Sequence, residues 1–477
     1  MAATAAATAR RAAAPPPAVA SESDDDEFVD ARESLTSPST SLAGLPAQIP
    51  HNYSRIEPLP SPIPPLDNEL SIFRLAREVI SSVKPGADVT NINLPAYILD
   101  PVSALEKTKK SMQRGELLQD ISAAQDAHTR FLNVLRFNFS GLAKERFGKK
   151  PYNPVLGEVY RCCFPHRGAA GETLLVSEQV SHHPPITALH LRNDTLGFRM
   201  NSFTAPEPRF WGNTLEVKLR GEIRIVLTKF DNEEYIITRP YVYMSGLFAG
   251  KQRLEFNGSS SFSCPKSGLG AEIHYKTRGP LALRGDINGV TGRIFKLANN
   301  ETLHTMDGHW DKKIMLMDVR TNTQKTLFDY EAIIAEKSMV AVLPPPHEEE
   351  NSFSTRVWAK CSEAIKTGDT AAANAEKRRI EDHQRKLRKE RKEAAVPWQW
   401  HYFVKREDVQ EGYDLRPDLA PNGLLKLSLT AQEIAGLRSG NIVRDMQIEM
   451  LAENDNPEPR KLGGGRLKVF GRGRGKV

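Results

Sequence analysis

The sequence has few cysteines and no long apolar run. Among its 477 residues there is no stretch of about eighteen apolar residues, so no membrane-spanning helix is predicted. The four cysteines are Cys162, Cys163, Cys264 and Cys361, and they form no CxxC pair. They predict neither a disulfide framework nor a structural zinc site, and they suit a reducing cytosol.

Positive charge is concentrated in two stretches, although the net charge is only +6. Residues 377–392 carry nine basic and three acidic side chains, and residues 460–477 carry seven basic side chains and no acidic one. Such runs favour anionic partners, either a membrane surface or nucleic acid. For any single run, a solvated helix face or a frayed tail is the simpler interpretation.

The chain divides into segments of different composition. Residues 1–64 are rich in Ala, Pro, Ser and acidic groups, which predicts a disordered tail, with a transit peptide as the alternative for its Ala-rich start. Residues 66–83 predict an amphipathic helix, since apolar side chains recur at helical spacing: Leu66, Leu70, Phe73, Ala76, Ile80 and Val83. From residue 352 the composition is again typical of helices.

Short apolar or alternating runs fill residues 155–330, separated by turn-rich breaks such as "RND", "DNE" and "GDING". Many strands with short turns and no helix between them predict an antiparallel sheet large enough to close into a barrel. Side chains cannot fill the interior of a barrel with many strands, so it tends to hold a ligand.

The segment "EQVSHHPP" at 178–185 fixes two adjacent histidines, His182 and His183, on a stiff backbone, because the prolines that follow disfavour a helix. Metal binding is disfavoured, since neighbouring side chains on an extended segment point apart and no HExxH pattern is present. Catalysis is disfavoured too, because no GxSxG elbow surrounds Ser181. We therefore expect neither an enzyme nor a cofactor.

Anion binding fits the two histidines better, because imidazole N–H groups donate to phosphate. A second proline-punctuated segment, "KKPYNPVLGE" at 149–158, displays Lys150 and Asn153. A third places Lys377, Glu381 and Arg385 at i, i+4 and i+8, along one helix face. Taken singly, the histidines fit an ordinary loop and the triplet fits an exposed ladder of ion pairs.

Together these segments resemble the oxysterol-binding protein family, whose fingerprint is the octapeptide 178–185. The resemblance covers roughly residues 66–405 and continues through "LPAYILDP", "GHWDKKI", "STRVWAKCSEAIKTGD", "EKRRIEDHQRKLRKE" and "VPWQWHYF". It implies a mainly β fold with added helices: a large incomplete antiparallel β-barrel around a lipid tunnel, an N-terminal helical lid and a C-terminal helical subdomain. The implied lipid-transfer domain spans 65–410, with the lid at 66–83, the barrel at about 90–340 and the helical part at about 352–395.

The resemblance also implies the ligand and its contacts. Family members take up phosphatidylinositol 4-phosphate (PI4P) or a second lipid, and exchange the two between membranes. His182 and His183 would bind the 4-phosphate, Lys150 and Asn153 would contact the head group, and Lys377, Glu381 and Arg385 would complete the charged rim. The apolar face of the lid, with Leu70, Phe73 and Ile80, would cover the tunnel.

The second lipid is expected to be phosphatidylserine or a sterol, with phosphatidylserine favoured because "LPAYILDPVSALEK" looks more like the branch that carries it. A lipid sensor or scaffold that binds the same ligands without transport is the alternative function. The tail 411–477 has no recognised counterpart, and its end "GRGRGKV" could be read as an RNA-binding element. We expect no nucleic-acid partner.

An acidic stretch in the N-terminal tail, "SESDDDEFVDARES" at 21–34, resembles the two-phenylalanines-in-an-acidic-tract (FFAT) motif. That motif binds VAMP-associated proteins of the endoplasmic reticulum. The matching residues are Glu27, Phe28, Asp30, Ala31 and Glu33, and the motif's second phenylalanine is replaced by Val29. The resemblance implies a peripheral cytosolic protein at endoplasmic reticulum contact sites.

Overall fold

The computed structural model describes most of the central part of the chain. The described residues are 52–53, 55–56, 83–90, 94–142, 149–247, 253–277, 287–335, 339–409, 411–419 and 426–427. The FFAT-like segment lies outside them, and so does the predicted lid except for Val83. No helix in these ranges is long and apolar enough to cross a membrane.

Strands dominate the described chain, as the alternating sequence pattern predicts. In chain order they are β1 Asn52–Tyr53, β2 Arg55–Ile56, β3 Ala87–Asp88, β4 Val159–Pro165, β5 Glu172–His182, β6 Pro185–Asn193, β7 Phe198–Phe210, β8 Thr214–Arg220, β9 Glu222–Leu227, β10 Glu233–Thr238, β11 Tyr241–Ser245, β12 Arg253–Cys264, β13 Leu269–Lys276, β14 Gly289–Lys296, β15 Thr302–His309, β16 Lys313–Asp318, β17 Gln324–Asp329, β18 Val342–Leu343, β19 Phe403–Lys405, β20 Tyr413–Leu415 and β21 Lys426–Leu427.

The barrel strands pair with their sequence neighbours in antiparallel registers from β4 to β8, from β9 to β10 and from β11 to β17, and β8 also pairs with β11. Two long strands bend the sheet, because β7 pairs with both β8 and β9, and β12 pairs with both β10 and β11. Gly221 joins β8 to β9 at φ +123°, and a Cβ there would lie 2.2 Å from the carbonyl oxygen of Phe203. Only glycine fits this bend.

The strand order closes into a barrel, which confirms the large antiparallel barrel predicted from the sequence. The described registers end at β17 on one side and at the two-residue strands β18 and β2, beside β4, on the other. Closure therefore depends on short strands, which leave little exposed edge.

Seven α-helices are described: α1 Ala104–Lys107, α2 Leu117–Ala123, α3 Ala127–Leu142, α4 Tyr330–Ala335, α5 Ser354–Val357, α6 Ala359–Lys366 and α7 Thr370–Glu393. The first four lie in the range predicted for the barrel, about 90–340. Rings of α3 contact rings of β10, β7 and β17, as in the pairs Phe131–Tyr235, Phe137–Phe198 and Phe139–Phe328. A helix that touches such distant strands lies inside the barrel and fills part of it.

The later helices build a second core against the segment 94–103. Trp358 stacks on Tyr152 with ring centroids 4.2 Å apart, and both side chains are buried. Asp369 caps α7 by accepting a hydrogen bond from the backbone N–H of Ala372 at 2.9 Å, which satisfies one of the free donors at the helix start. This core fixes the position of α7 relative to residues 149–158.

Candidate functional site

The two histidines of the fingerprint lie on the tight turn between β5 and β6. Their ring centroids are 4.7 Å apart, and the peptide bond between His183 and Pro184 is cis. His182 is partly buried, whereas His183 is exposed. Nδ1 of His182 lies 3.0 Å from the carbonyl oxygen of Pro154, which can only accept, so Nδ1 carries the proton. The imidazole is thus oriented by the neighbouring segment.

That neighbouring segment, 149–158, carries the predicted Lys150 and Asn153, and both are exposed. The hydrogen bond from His182 to Pro154 places Asn153 beside the histidine turn. Burial among surrounding protein lowers the pKa of Lys150, and the positive charge of Lys377 lowers it further. Lys150 and Lys377 are therefore close enough for their charges to interact.

The third predicted set of site residues, Lys377, Glu381 and Arg385, lies on α7. Lys377 forms an ion pair with Glu381, and its side chain is only 13% exposed. Arg385 donates to Asp382 at 2.8 Å, and its side chain is 44% exposed. The structure therefore places Lys377 near Lys150, while Arg385 lies two turns further along the helix.

We call this region the mouth: the histidine turn, residues 149–158 and the face of α7 that carries Lys377. The described charges at the mouth are mainly positive. Two ammonium groups that repel each other would both be stabilised by an anion between them. The imidazoles add N–H donors, so the mouth is suited to a ligand with several negative charges.

Glu178, the first residue of the fingerprint, has a supporting role that no local sequence pattern indicated. It is fully buried, and its two carboxyl oxygens accept backbone N–H groups of His401 and Tyr402, each at 2.8 Å. Burial raises the pKa of Glu178 to about 8, against the effect of these hydrogen bonds. Trp400 donates its indole N–H to the carbonyl oxygen of Val180 at 2.7 Å. The segment "VPWQWHYF" thus holds the histidine turn from behind.

Glu158 plays a similar part for the second segment. Its buried carboxyl group accepts hydrogen bonds from Ser354 at 2.7 Å, from the indole of Trp358 at 2.9 Å and from the backbone of Val155 at 3.0 Å, and it is also bonded by Ser103. Burial raises its pKa. One side chain therefore ties together three stretches that the sequence analysis had only noted as similar to the family.

The inner face of β8 and β11 is apolar. Leu215, Val217 and Leu219 alternate along β8, and Met244 and Val242 pair with the first two across the strands. All five are only partly buried, although Val242 packs against the barrel core. An inward apolar wall with remaining accessible surface borders open space rather than packed side chains, as a ligand tunnel would require.

A separate cleft of about 300 Å³ lies between α3 and the β17–α4 corner, lined in part by Arg136 and Lys325. It contains none of the predicted site residues. In the described ranges no group of three or more His, Cys, Asp or Glu side chains is arranged to hold a metal ion.

Comparison with known proteins adds independent information. A family model described as oxysterol-binding protein matches residues 78–418, which extends past the predicted domain end at 410. Oxysterol-binding protein-related protein 5 of Homo sapiens is 30% identical over 387 residues, 80% of this chain but 43% of that protein. The chain thus spans less than half of that relative. An oxysterol-binding protein homolog of Schizosaccharomyces pombe is 32% identical over 398 residues, 80% of this chain and 81% of that protein.

Two solved structures share the fold. The Osh1 ORD domain in complex with ergosterol has a TM-score of 0.59 at 20% identity, over 78% of this chain and 94% of that one. The Osh3 ORD of Saccharomyces cerevisiae in complex with PI(4)P has a TM-score of 0.53 at 21% identity, over 84% and 98%. With a family model that covers more than half of its length and a relative that it matches over most of both sequences, the chain belongs to the oxysterol-binding protein family.

Proposed function

We propose that the mouth binds the head group of phosphatidylinositol 4-phosphate, with the acyl chains in the barrel. The observation that carries this proposal is the meeting of three segments: His182 bonded to Pro154, and Lys150 close enough to Lys377 for their charges to interact. The Osh3 domain, which shares the fold, was solved with this lipid. Asn153, His183, Glu381 and Arg385 complete the proposed set of contacts.

The physical reason lies in charge and rigidity. The head group carries a phosphodiester and a phosphomonoester, so several negative charges enter a partly dry cleft. Each charge-assisted hydrogen bond there contributes about 1.5 to 3 kcal/mol. Donors that are already held in place by Pro154, Glu178 and Glu158 lose little conformational entropy on binding.

The test is extraction of PI4P from vesicles by the double variant His182→Ala/His183→Ala. We expect extraction to be lost while the thermal transition stays nearly unchanged, because donors at the rim contribute little to the core. The variant Arg320→Ala, in the turn after β16 away from the proposed site residues, serves as a control with altered surface charge. Normal extraction by the double variant would refute the site.

We further propose that the chain exchanges PI4P for a second lipid between membranes. The apolar inner wall of β8 and β11 suits an acyl chain or a sterol. The Osh1 domain, which shares the fold, was solved with ergosterol, whereas the sequence "LPAYILDP" favours phosphatidylserine. Lipidomics on protein purified from cells tests the choice, and sterol without phosphatidylserine would reverse our preference.

A carrier and a sensor need the same pocket, so kinetics must separate them. In a transfer assay between two vesicle populations, a carrier moves PI4P faster when the acceptor vesicles contain the second lipid. A sensor binds the lipid and moves none. The lid segment enters this proposal through Phe73: replacing it with Asp places a charge against an apolar tunnel and should slow transfer sharply. Full transfer by a chain lacking residues 1–84 would refute the lid.

Residues 27–33 of the N-terminal tail would bring the lipid-transfer activity to the endoplasmic reticulum. Phe28 would be the anchor in a pocket of the VAMP-associated protein, and the acidic run before it would steer the segment to a basic surface. We expect Phe28→Ala to abolish binding to that protein in a calorimetric titration and to leave lipid extraction unchanged. Unchanged affinity of the variant peptide would mean that the segment is only a solvated tail.

A further inference from the structure

Arg239 brings a positive charge to the inner face of the barrel wall. On β10, Glu233 forms an ion pair with Arg130 of the internal helix α3 at 2.7 Å, and the ring of Tyr235 lies 6.0 Å from that of Phe131. Alternate residues of a strand share a face, so this inward face continues towards Arg239, which directly follows β10.

The hydrogen bonds of Arg239 confirm its direction. Nη2 donates to the hydroxyl of Ser202 at 2.5 Å, and Nη1 donates to the carbonyl oxygen of Phe203 at 3.0 Å. Ser202 is buried and belongs to the same face of β7 as Phe198, whose ring contacts α3. Both acceptors are uncharged, and the guanidinium has further N–H groups beyond these two.

No carboxylate of the described wall forms an ion pair with Arg239. Burial lowers the pKa of Arg239 to about 10, and the opposing influence comes from Glu222. Glu222 lies on the other face of the sheet, since the next residue, Ile223, pairs with inward-facing Ser202, and it accepts from Arg406 at 3.4 Å. No carboxylate in the described ranges accepts a hydrogen bond from Arg239.

The guanidinium also borders space rather than packed atoms. Arg239 is partly exposed, like the neighbouring inward residues Leu219, Ile223 and Val242. Its depth follows from strand registers: Ser202 pairs with Leu189, which pairs with Ser177, five residues before His182 along β5. At about 3.3 Å per residue, the level of Ser202, which accepts from Arg239, lies about 16 Å from His182 along β5.

We propose that Arg239 is an internal anion site, which binds the carboxylate of a long-chain carboxylic acid that enters the barrel with its acid end first. A carboxylate supplies the missing negative charge and accepts two parallel N–H bonds from a guanidinium, whereas a lipid hydroxyl supplies no charge. The hydroxyl of Ser202 can rotate to donate to the same carboxylate. The apolar wall between Arg239 and the mouth would hold the chain.

This inference rests on one premise of the proposed function, that the barrel interior holds a lipid. The experiment compares cis-parinaric acid with its methyl ester in fluorescence titrations of the full chain. We expect the wild type to bind the acid at least tenfold more tightly than the ester, and to lose this preference as the carboxyl group is protonated below about pH 4 to 5.

Two variants distinguish an effect of the positive charge of Arg239 from a structural effect of its side chain. Arg239→Gln keeps an N–H donor for the carbonyl oxygen of Phe203 but removes the charge, so acid and ester should bind equally, at the affinity of the ester for wild type. Arg239→Lys keeps the charge and should keep most of the preference. Equal binding of acid and ester by the wild type would overturn the proposal, as would an unchanged preference in Arg239→Gln. A parallel loss of acid and ester binding in Arg239→Gln would also overturn it, because Arg239 would then be structural.

Extraction of PI4P by the same proteins tests PI4P binding at the mouth separately from the internal anion site at Arg239. We expect Arg239→Gln to extract PI4P like the wild type, since the proposed head-group contacts lie at the mouth. A wild type that binds parinaric acid through Arg239 but extracts no PI4P would contradict the proposed function and leave the internal site standing.

Discussion

Replacing Gly157 with alanine should disturb the mouth from behind. Gly157 has φ +75°, and a Cβ there would lie 2.4 Å and 2.6 Å from two ring atoms of Trp398. Its backbone N–H donates to the carbonyl oxygen of Gln179 at 2.9 Å, which links residues 149–158 to the fingerprint strand. A shift of either partner therefore reaches the turn that carries His182.

The expected cost has two parts. A non-glycine residue in the left-handed region costs about 1–2 kcal/mol. Trp398 is half-buried, so moving its ring into water exposes roughly 100 Å² of apolar surface, worth about 2.5 kcal/mol. The variant Gly157→Ala should thus lose about 3.5 to 4.5 kcal/mol of unfolding free energy.

Gly168 provides a matched control, because its φ is +65° but no atom lies within 4 Å of a Cβ there. Gly168→Ala should cost only the backbone part, about 1–2 kcal/mol, and should leave PI4P extraction unchanged. Urea denaturation measures both variants, and vesicle extraction shows whether Gly157→Ala weakens lipid binding. Equal losses of stability in the two variants would refute the argument that Trp398 packs against this turn.

Three further predictions concern buried groups. Trp358→Phe removes the indole donor from buried Glu158 and should cost about 1–3 kcal/mol in urea denaturation; a neutral result would mean that water replaces the bond. Because burial raises the pKa of Glu178 to about 8, the folded chain keeps a proton that an ordinary carboxyl releases near 4.5, so the unfolding free energy should fall as pH rises from about 4.5 to 8. Glu178→Gln should flatten that slope, and an unchanged slope would contradict the assignment. Arg130→Met strands the buried carboxylate of Glu233 and should cost about 3–5 kcal/mol, most of it recovered when Glu233 is also replaced by Leu; a double variant as unstable as the single one would show that the pair is not coupled.

The barrel was predictable because its strands alternate apolar and polar residues and are separated by turn residues. The internal helix α3 was not predicted, although eight of its sixteen residues are buried, including Phe131, Leu132, Val134 and Leu135 at helical spacing. Its position inside the ring depends on contacts with strands far along the chain.

The candidate site was predictable only in part. Local sequence placed His182 and His183 on a stiff turn, because proline acts on its immediate neighbours. The residues that hold these segments in place could not be predicted from local sequence. Glu178 is hydrogen-bonded to Tyr402, 224 residues later, and Glu158 is hydrogen-bonded to Trp358, 200 residues later. Such pairs form only in the folded chain, and no local sequence pattern predicts them. Arg239 is another case, since its inward direction follows from strand register.

The most direct test of the proposed function is whether the chain distinguishes phosphatidylinositol 4-phosphate from phosphatidylinositol, which lacks the 4-phosphate. Vesicles that contain either phosphatidylinositol or phosphatidylinositol 4-phosphate are incubated with the wild-type chain, and the extracted lipid is counted by native mass spectrometry. We predict one molecule of phosphatidylinositol 4-phosphate per chain and little phosphatidylinositol, because the imidazoles of His182 and His183 and the ammonium groups of Lys150 and Lys377 meet the extra phosphate. Equal extraction of the two lipids would contradict the account.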